Sequence, residues 1–112
     1  MGLITTRLAD SGVVLEFDLF GRETTFYSAS DIDMPNDGAR LKTLRMLIDH
    51  GHLDRIAISH DICTCVRLTK FGGHGYTHMF KNVLPLMRSR GFTEAEIDAI
   101  LVQTPRRILT VV

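Results

Sequence analysis

The sequence predicts an α/β fold in which strands and helices alternate along the chain. The 112 residues are 45% hydrophobic and 23% charged, a balance that is typical of one small globular domain. Hydrophobic patterns follow in the order strand, helix, strand, helix, which favours parallel strands joined by crossover helices. Both predicted strands have polar residues near their C-terminal ends and lead into long loops. In α/β folds such loops carry the function.

The first strand follows a short helix. Residues 5–11 predict the last turns of this helix, and Gly12 ends it. Residues 13–20 are rich in Val, Leu and Phe, as strands are. Because side chains alternate between the faces of a strand, one face holds Leu15, Phe17 and Leu19, and the other holds Val14, Glu16 and Asp18.

A long polar loop, residues 21–36, separates this strand from its helix. The helix is predicted to begin near Asp37 and to end at Gly51. Its apolar residues recur at helical spacing; they are Leu41, Leu44, Leu47 and Ile48.

The second strand, residues 54–61, is the most informative segment. Ile56 and Ile58 are predicted to pack on helices, whereas the opposite face carries small residues and ends in Asp61. An acid at the C-terminal end of a strand is typical of the active sites of (β/α) barrels. The alternative is that Asp61 only caps a turn.

The C-terminal part of the chain predicts a loop and three helices. Helix 78–90 should be kinked by Pro85. Thr93 begins a capping box for the next helix, and the pair Thr104-Pro105 predicts a cap and first-turn proline for a short last helix.

Two strands cannot form a sheet that is covered on both faces. A (β/α) barrel uses eight strand–helix units and about 250 residues. We therefore expect residues 1–112 to be a single partial domain. It would be completed by a missing N-terminal barrel portion or by self-association of copies of the chain.

Three stretches resemble the phosphotriesterase-related family of the amidohydrolase superfamily: DSGVVLEFDLFG at residues 10–21, DRIAISHD at 54–61 and GGHGYTH at 72–78. Residues 31–37 fit as well, and the order and spacing agree over nearly the whole chain. The resemblance matches the family's C-terminal part only. It implies the C-terminal (β/α)2 portion of a TIM barrel, strands seven and eight with their helices, which is incomplete as a barrel on its own.

The resemblance also implies a metal-dependent hydrolase with two divalent metal ions, usually zinc, that hold a bridging hydroxide. Of the family's metal ligands, only the Asp after strand eight has a counterpart here, which is Asp61. By resemblance Asp61 would bind the more buried metal and accept a proton from the hydroxide. Asp18 and His60 would lie behind the metal ligands and orient them.

One departure concerns the reaction. In the phosphotriesterases proper a His follows the strand-seven Asp, whereas here Leu19 follows Asp18. We therefore expect hydrolysis of a carboxylic ester, lactone or amide before that of an organophosphate. One carboxylate cannot hold two zinc ions, so the isolated chain is expected to be inactive. The alternative is a non-catalytic fragment or a self-associating interaction module with exposed apolar strand edges.

The loop at residues 62–76 contains the glycine-rich stretch 72–75, which we interpret as a substrate lid with Phe71, His74 and Tyr76 as candidate pocket residues; the alternative is a plain glycine turn. Ligand-type residues around this loop could instead form an independent structural zinc site, although C-x-C is not the usual C-x₂-C spacing. They are Cys63, Cys65, His60, His74 and His78.

Composition limits the partners. Thirteen basic and thirteen acidic residues cancel, so net charge gives no reason to expect nucleic acid or a membrane surface. No apolar run approaches the roughly 20 residues that span a bilayer. The first residues lack a signal-peptide pattern, and two cysteines are too few for a disulfide framework. We expect a cytoplasmic protein that acts on a small-molecule substrate.

Overall fold

The structure, a computed structural model, describes residues 2–23, 26–27 and 30–111. Within these ranges the strands and α-helices are α1 (Gly2–Asp10), β1 (Leu15–Phe17), β2 (Phe26–Tyr27), β3 (Ile32–Asp33), α2 (Asp37–Asp49), β4 (Ile56–Ile58), α3 (Leu84–Ser89), α4 (Glu94–Asp98) and α5 (Thr104–Leu109). Shorter 3₁₀ turns are Leu53–Arg55, Cys65–Arg67 and Thr69–Phe71, and the π-helical segments are Met79–Val83 and Ala99–Gln103.

Strands β1 and β4 form the parallel pair that the alternation predicts, with α2 as the crossover. Phe17 lies opposite Ile58. The ladder continues beyond the strands, because Ser59 N–H donates to the Phe17 carbonyl at 3.0 Å and Phe20 N–H donates to the Ser59 carbonyl at 3.2 Å. Both strands are shorter than predicted, since the backbone leaves the extended conformation soon after Phe17 and Ile58.

One hydrophobic core joins the strand pair to the helices. Most of its members come from α2, β4 and the C-terminal helices; they are Ala9, Phe20, Leu41, Leu44, Leu47, Ile56, Met79, Val83, Leu84, Met87, Phe92, Ile97 and Ile100. The buried leucines of α2 are those that the helical spacing predicts. In the described part of the chain, no helix has the length and apolarity that crossing a bilayer requires.

The predicted loop at residues 21–36 contains a second, smaller sheet. In it β2 and β3 pair antiparallel. Strands of two residues are too short to produce an alternating pattern, so the sequence gives no signal for them. Residues 24, 25, 28 and 29 lie outside the described residues.

The two C-terminal prolines are accommodated by π-helical turns. Pro85 lies in the first turn of α3, directly after the π-helical segment Met79–Val83. Pro105 lies in the first turn of α5 after an equivalent segment. The prediction that Thr104 caps a separate helix is wrong, because its φ of −64° and ψ of −51° are helical. The wider π turn lets the helix pass a residue that has no N–H to donate.

The predicted helix ends are largely confirmed. Asn36 caps α2, with its side chain accepting the Ala39 N–H at 2.8 Å. Thr93 and Glu96 form the predicted capping box at the start of α4. The stop at Gly12 is confirmed as well.

Candidate functional site

The chain leaves β1 and β4 in the same unusual backbone conformation. Leu19 has a φ of +66° and Asp61 a φ of +48°, which is the left-handed region that side chains other than Gly rarely adopt. Among the described residues these are the two non-glycine positions with positive φ. Such conformations cluster at functional sites. We call this region, residues 18–23 and 59–67, the strand-end edge.

Asp61 is exposed at this edge. Its carboxylate has no hydrogen-bond partner among the described residues. The predicted alternation of faces does not reach it, because β4 ends at Ile58 and the backbone then turns. Asp18 is exposed as well. A side-chain hydrogen bond joins the polar faces of the two strands, because Ser59 Oγ donates to Glu16 Oε1 at 2.5 Å.

Arg67 bridges the two strand exits. Its guanidinium donates to the Asp61 carbonyl at 2.5 Å and to the Phe20 carbonyl at 3.1 Å. Its own carbonyl accepts the Gly75 N–H at 2.9 Å. A Cβ at Gly73 would lie 2.2 Å from the Arg67 backbone, so a side chain at position 73 would open the loop. Arg67 is therefore fixed at the centre of the strand-end edge.

A buried Asp37–His78 pair lies beneath this edge. Each residue is 4% exposed, and His78 Nε2 lies 2.6 Å from Asp37 Oδ2. The other ring nitrogen, Nδ1, lies 2.9 Å from Asn82 Nδ2. A neutral ring with its proton on Nε2 satisfies both contacts, because Nε2–H donates to the carboxylate and Nδ1 accepts from the amide.

Asp37 also holds the loop after β1. Its carboxylate accepts the Gly21 N–H at 3.0 Å and a guanidinium N–H of Arg40, which is 5% exposed, also at 3.0 Å. Its backbone N–H donates to Glu23 Oε1 at 3.0 Å. A buried carboxylate is tolerated only when its oxygens are paired in this way. The first turn of α2 is thereby joined to residues 21–23 and to the start of the helical segment after His78.

His60 is oriented by the same segment. Its Nε2 accepts the Met79 N–H at 3.2 Å, so its proton lies on Nδ1. Burial lowers the pKa of His60 below its usual value of 6.5, the nearby Arg67 guanidinium lowers it further, and the Asp37 carboxylate opposes them. The neutral ring is therefore favoured.

A cleft of about 440 Å³ separates the loop after β1 from the loop after β4. Residues 21–23 form one wall, and the other wall includes Cys63, Arg67 and His74. The His74 ring stacks on His78 with 4.4 Å between centroids. The Phe71 ring has no such contact with His78; its centroid lies 5.6 Å from Lys70 Nζ. Tyr76 is exposed. Contact of these three predicted pocket residues with a substrate stays a prediction.

The ligand-type residues of the described chain do not form a complete metal site. No group of three or more His, Cys, Asp or Glu side chains in that part of the chain has the geometry to hold a metal ion. Cys63 and Cys65 are exposed free thiols. The independent zinc site is therefore not formed by its candidate ligands. A two-metal centre would need ligands in addition to Asp61.

Sequence reasoning missed Asp37, His78 and Arg67 as members of the site. The sequence predicts Asp37 only as the start of a helix, and it predicts His78 as a helix start or as a ligand of the independent zinc site. The glycine at position 21 is a partial signal in the sequence for this close packing. In the structure a Cβ at that position would lie 2.9 Å from the His78 ring. Nothing in the sequence alone says which side chain makes a glycine necessary at that position.

Comparison with known proteins decides the family. The model of the phosphotriesterase family matches residues 4–109. The chain belongs to the phosphotriesterase family. Among curated members, N-acetyltaurine hydrolase of Bos taurus is 52% identical over 103 residues, and that of Dictyostelium discoideum is 42% identical over 110 residues. These alignments cover 91% and 97% of this chain, but 30% of each relative.

Solved structures of this family have the same arrangement. A resiniferatoxin-binding protein from Rhodobacter sphaeroides superposes with a TM-score of 0.90 at 36% identity, covering 96% of this chain and 30% of that one. The phosphotriesterase homology protein from Escherichia coli gives a TM-score of 0.80 at 29% identity, covering 93% and 33%. These neighbours are TIM barrels, so the chain has the fold of a part of such a barrel. It spans about 30% of the length of these family members.

Proposed function

We propose that the chain supplies the C-terminal strand-end edge of a hydrolase active site that cleaves an amide bond. The observation that carries the proposal is the family membership, together with relatives named for hydrolysis of an N-acyl amide. The exposed carboxylate of Asp61, a residue whose backbone carbonyl accepts a hydrogen bond from Arg67 at a strand end, agrees with it. The substrate class that we propose is N-acetyltaurine and related N-acyl amides.

Asp61 is the ligand that we propose for a two-metal centre in the complete site. The two ions, zinc by expectation, would supply a hydroxide nucleophile near neutral pH. The described residues do not hold such a centre by themselves, so its other ligands would come from outside this set. Asp18 and His60 would orient neighbouring groups, and the Met79 N–H that fixes His60 supports this role.

We also propose a position in the barrel, a kind of partner and a cellular compartment for this chain. The chain would form strands seven and eight of a (β/α) barrel whose other units pack against β1, β4 and the exposed apolar residues of α1. The partner would be a small molecule rather than nucleic acid or a membrane. The compartment would be the cytoplasm.

A chimera tests this function. The segment of bovine N-acetyltaurine hydrolase that aligns with this chain over 103 residues is replaced by this chain, and acetate release from N-acetyltaurine is measured. The chimera should be active, and Asp61→Asn should lower kcat by at least about 100-fold, because a lost ligand disturbs both the metal and its hydroxide.

Asp49→Asn is the matched control, because Asp49 is an exposed acid on α2 that pairs with Arg45. It should leave kcat within about twofold, as surface substitutions away from a site do. A folded chimera that keeps full activity with Asp61→Asn would disprove the role of Asp61. A folded chimera without activity on any N-acyl amide would disprove the proposed reaction.

A second candidate is a self-associating module without catalysis. It is favoured by the exposed apolar side chains of α1, Leu3, Ile4 and Leu8. Gel filtration of the 112-residue chain tests for the concentration-dependent oligomer that the module requires. The chimera decides between the two functions, because a module without catalysis requires that the chimera be inactive.

A further inference from the structure

We propose that the cleft between residues 21–23 and 63–74 binds the anionic group of the substrate, with Arg67 as the principal contact. This inference rests on the proposed function for the identity of the substrate, an N-acyl amide whose amine part carries a sulfonate or a carboxylate. The family match and the relatives do not assign such a subsite to any residue of this chain.

The polarity of the cleft suits an anion. Arg22 and Arg67 both line it, together with His74 and the hydroxyl-bearing Thr64. One acid, Glu23, lines it too, but its Oε1 accepts the Asp37 N–H at 3.0 Å and is thereby directed toward α2. The two guanidinium groups outweigh this single carboxylate, so the lining has a net positive charge.

Arg67 is prepared for this role by its own hydrogen bonds. Its contacts with the Asp61 and Phe20 carbonyls are the two side-chain hydrogen bonds that it makes in the described part of the chain. A guanidinium has five N–H donors in a fixed plane, so three remain for a ligand. Since the side chain is already held, little conformational entropy is lost when an anion binds, and the planar group matches two oxygens of a sulfonate or carboxylate.

The position of Arg67 connects this subsite to the proposed chemistry. The guanidinium is bonded directly to the backbone of Asp61, the proposed metal ligand. An anion on Arg67 is therefore bound close to the Asp61 backbone, and a short substrate can extend from there toward the Asp61 side chain. Binding energy from a remote charged group can in this way orient the reacting bond.

The test measures binding rather than turnover. The 112-residue chain, labelled with ¹⁵N, is titrated with N-acetyltaurine, with its carboxylate analogue N-acetyl-β-alanine and with the neutral N-ethylacetamide. The amide signals of Gly72 and Gly73 and the Nε–H signal of Arg67 are followed. The dissociation constants obtained from these signal shifts should be at least about tenfold lower for the anionic compounds than for the neutral one, as expected for charge-assisted hydrogen bonds. The two anionic arms decide whether sulfonate or carboxylate is preferred.

Arg67→Gln should remove this preference, whereas Lys70→Gln should keep it. Lys70 is a matched control because it carries the same charge on the same loop, but its ammonium lies over the Phe71 ring and not in the cleft lining. If Arg67→Gln fails to fold, Arg22→Gln is measured instead, and it should weaken anion binding several-fold without changing the response to N-ethylacetamide.

Equal affinity for the anionic and neutral compounds would overturn the proposal. The proposal would also be overturned if Lys70→Gln reduced the preference for anions as much as Arg67→Gln does. Such a result would indicate a diffuse effect of surface charge. Selective anion binding by the chain combined with an inactive chimera would support this subsite while disproving the proposed hydrolysis. An active chimera whose chain shows no anion preference would disprove the subsite alone.

Discussion

The two ends of the parallel strand pair are built from different kinds of contact. At the strand-end edge, Asp37 and His78 are buried and paired, and the backbone at Leu19 and Asp61 is left-handed. At the opposite end, near Asp54, the contacts are exposed Arg-to-carbonyl hydrogen bonds, including one from Arg107 to the Asp54 carbonyl.

The opposite end contains the larger concavity. It measures about 930 Å³ and is lined by residues such as Leu53, Gln103 and Arg106, compared with about 440 Å³ for the cleft at the strand-end edge. No buried charged network lies at this end among the residues described there. The larger concavity is therefore not at the end that we propose for the active site. Buried, fully paired polar groups and left-handed backbone, which are both costly to fold, lie at the proposed end instead.

The largest expected effect comes from breaking the buried pair. Asp37→Ala should lower the free energy of unfolding by about 3–5 kcal/mol, because it leaves Arg40 buried without its carboxylate and removes the partners of His78 and Gly21. Urea unfolding followed by circular dichroism measures this change. Asp49→Ala, which removes an exposed ion pair, should change stability by less than about 1 kcal/mol. Equal losses in the two variants would contradict the contrast between buried and exposed contacts.

A pair of glycine substitutions tests the close approach at the strand-end edge. Gly21 and Gly51 have nearly the same φ, +85° and +86°. Alanine at either position should cost about 1 kcal/mol from backbone strain. A Cβ at position 21 also lies 2.9 Å from the His78 ring, whereas position 51 is open. Gly21→Ala should therefore lose about 1–2 kcal/mol more than Gly51→Ala in thermal or urea unfolding. An equal loss of stability in the two variants would mean that the His78 ring can move away from a Cβ at position 21 without cost.

Stability in acid depends on a contact away from the strand-end edge. Burial acts against the charged form of Glu96, but the Thr93 N–H and the Arg45 guanidinium outweigh it and hold the pKa of Glu96 below 4.5. A lowered folded-state pKa stabilises the protein above the unfolded-state pKa, and this stability is lost as the pH falls through the folded-state value.

Glu96→Gln should therefore reduce stability by about 1 kcal/mol at pH 7 and flatten the decline below about pH 4.5. Unfolding free energies measured from pH 7 to pH 3 check this prediction. Glu94→Gln is the surface comparison: the hydrogen bond from Arg88 lowers the pKa of Glu94 too, but solvent screens this exposed pair, so the pH dependence should change less than with Glu96→Gln. A pH dependence that is unchanged by Glu96→Gln would assign the acid loss to other carboxylates.

The smallest effect on stability is expected at the residue with the largest proposed effect on activity. Asp61→Asn should change the free energy of unfolding by less than about 0.5 kcal/mol, because the side chain is exposed and Asn tolerates the left-handed region as well as Asp does. Urea unfolding measures this value beside the activity loss in the chimera. A stability loss above about 2 kcal/mol would indicate that Asp61 serves the fold.

The sequence by itself determined the local elements. The start of α2 near Asp37, the capping box at Thr93, the apolar face of α2 and the order of strands and helices all follow from local patterns, and the structure has them. Asp61 was predicted as the last residue of its strand, whereas β4 ends at Ile58 and Asp61 follows it in a left-handed conformation. The continuous helix through Thr104 was not predicted either, because a π turn depends on how the helix packs.

Only the tertiary structure decided the contents of the site. Asp37 and His78 are 41 residues apart in sequence, and Arg67 and the Phe20 carbonyl are 47 apart. They meet because the crossover helix brings the C-terminal ends of β1 and β4 to the same edge, where the loops close over them. Hydrophobic periodicity records which face of an element is buried. It carries no record of which polar side chain from a distant loop will satisfy a buried carboxylate, since that choice depends on the packed geometry.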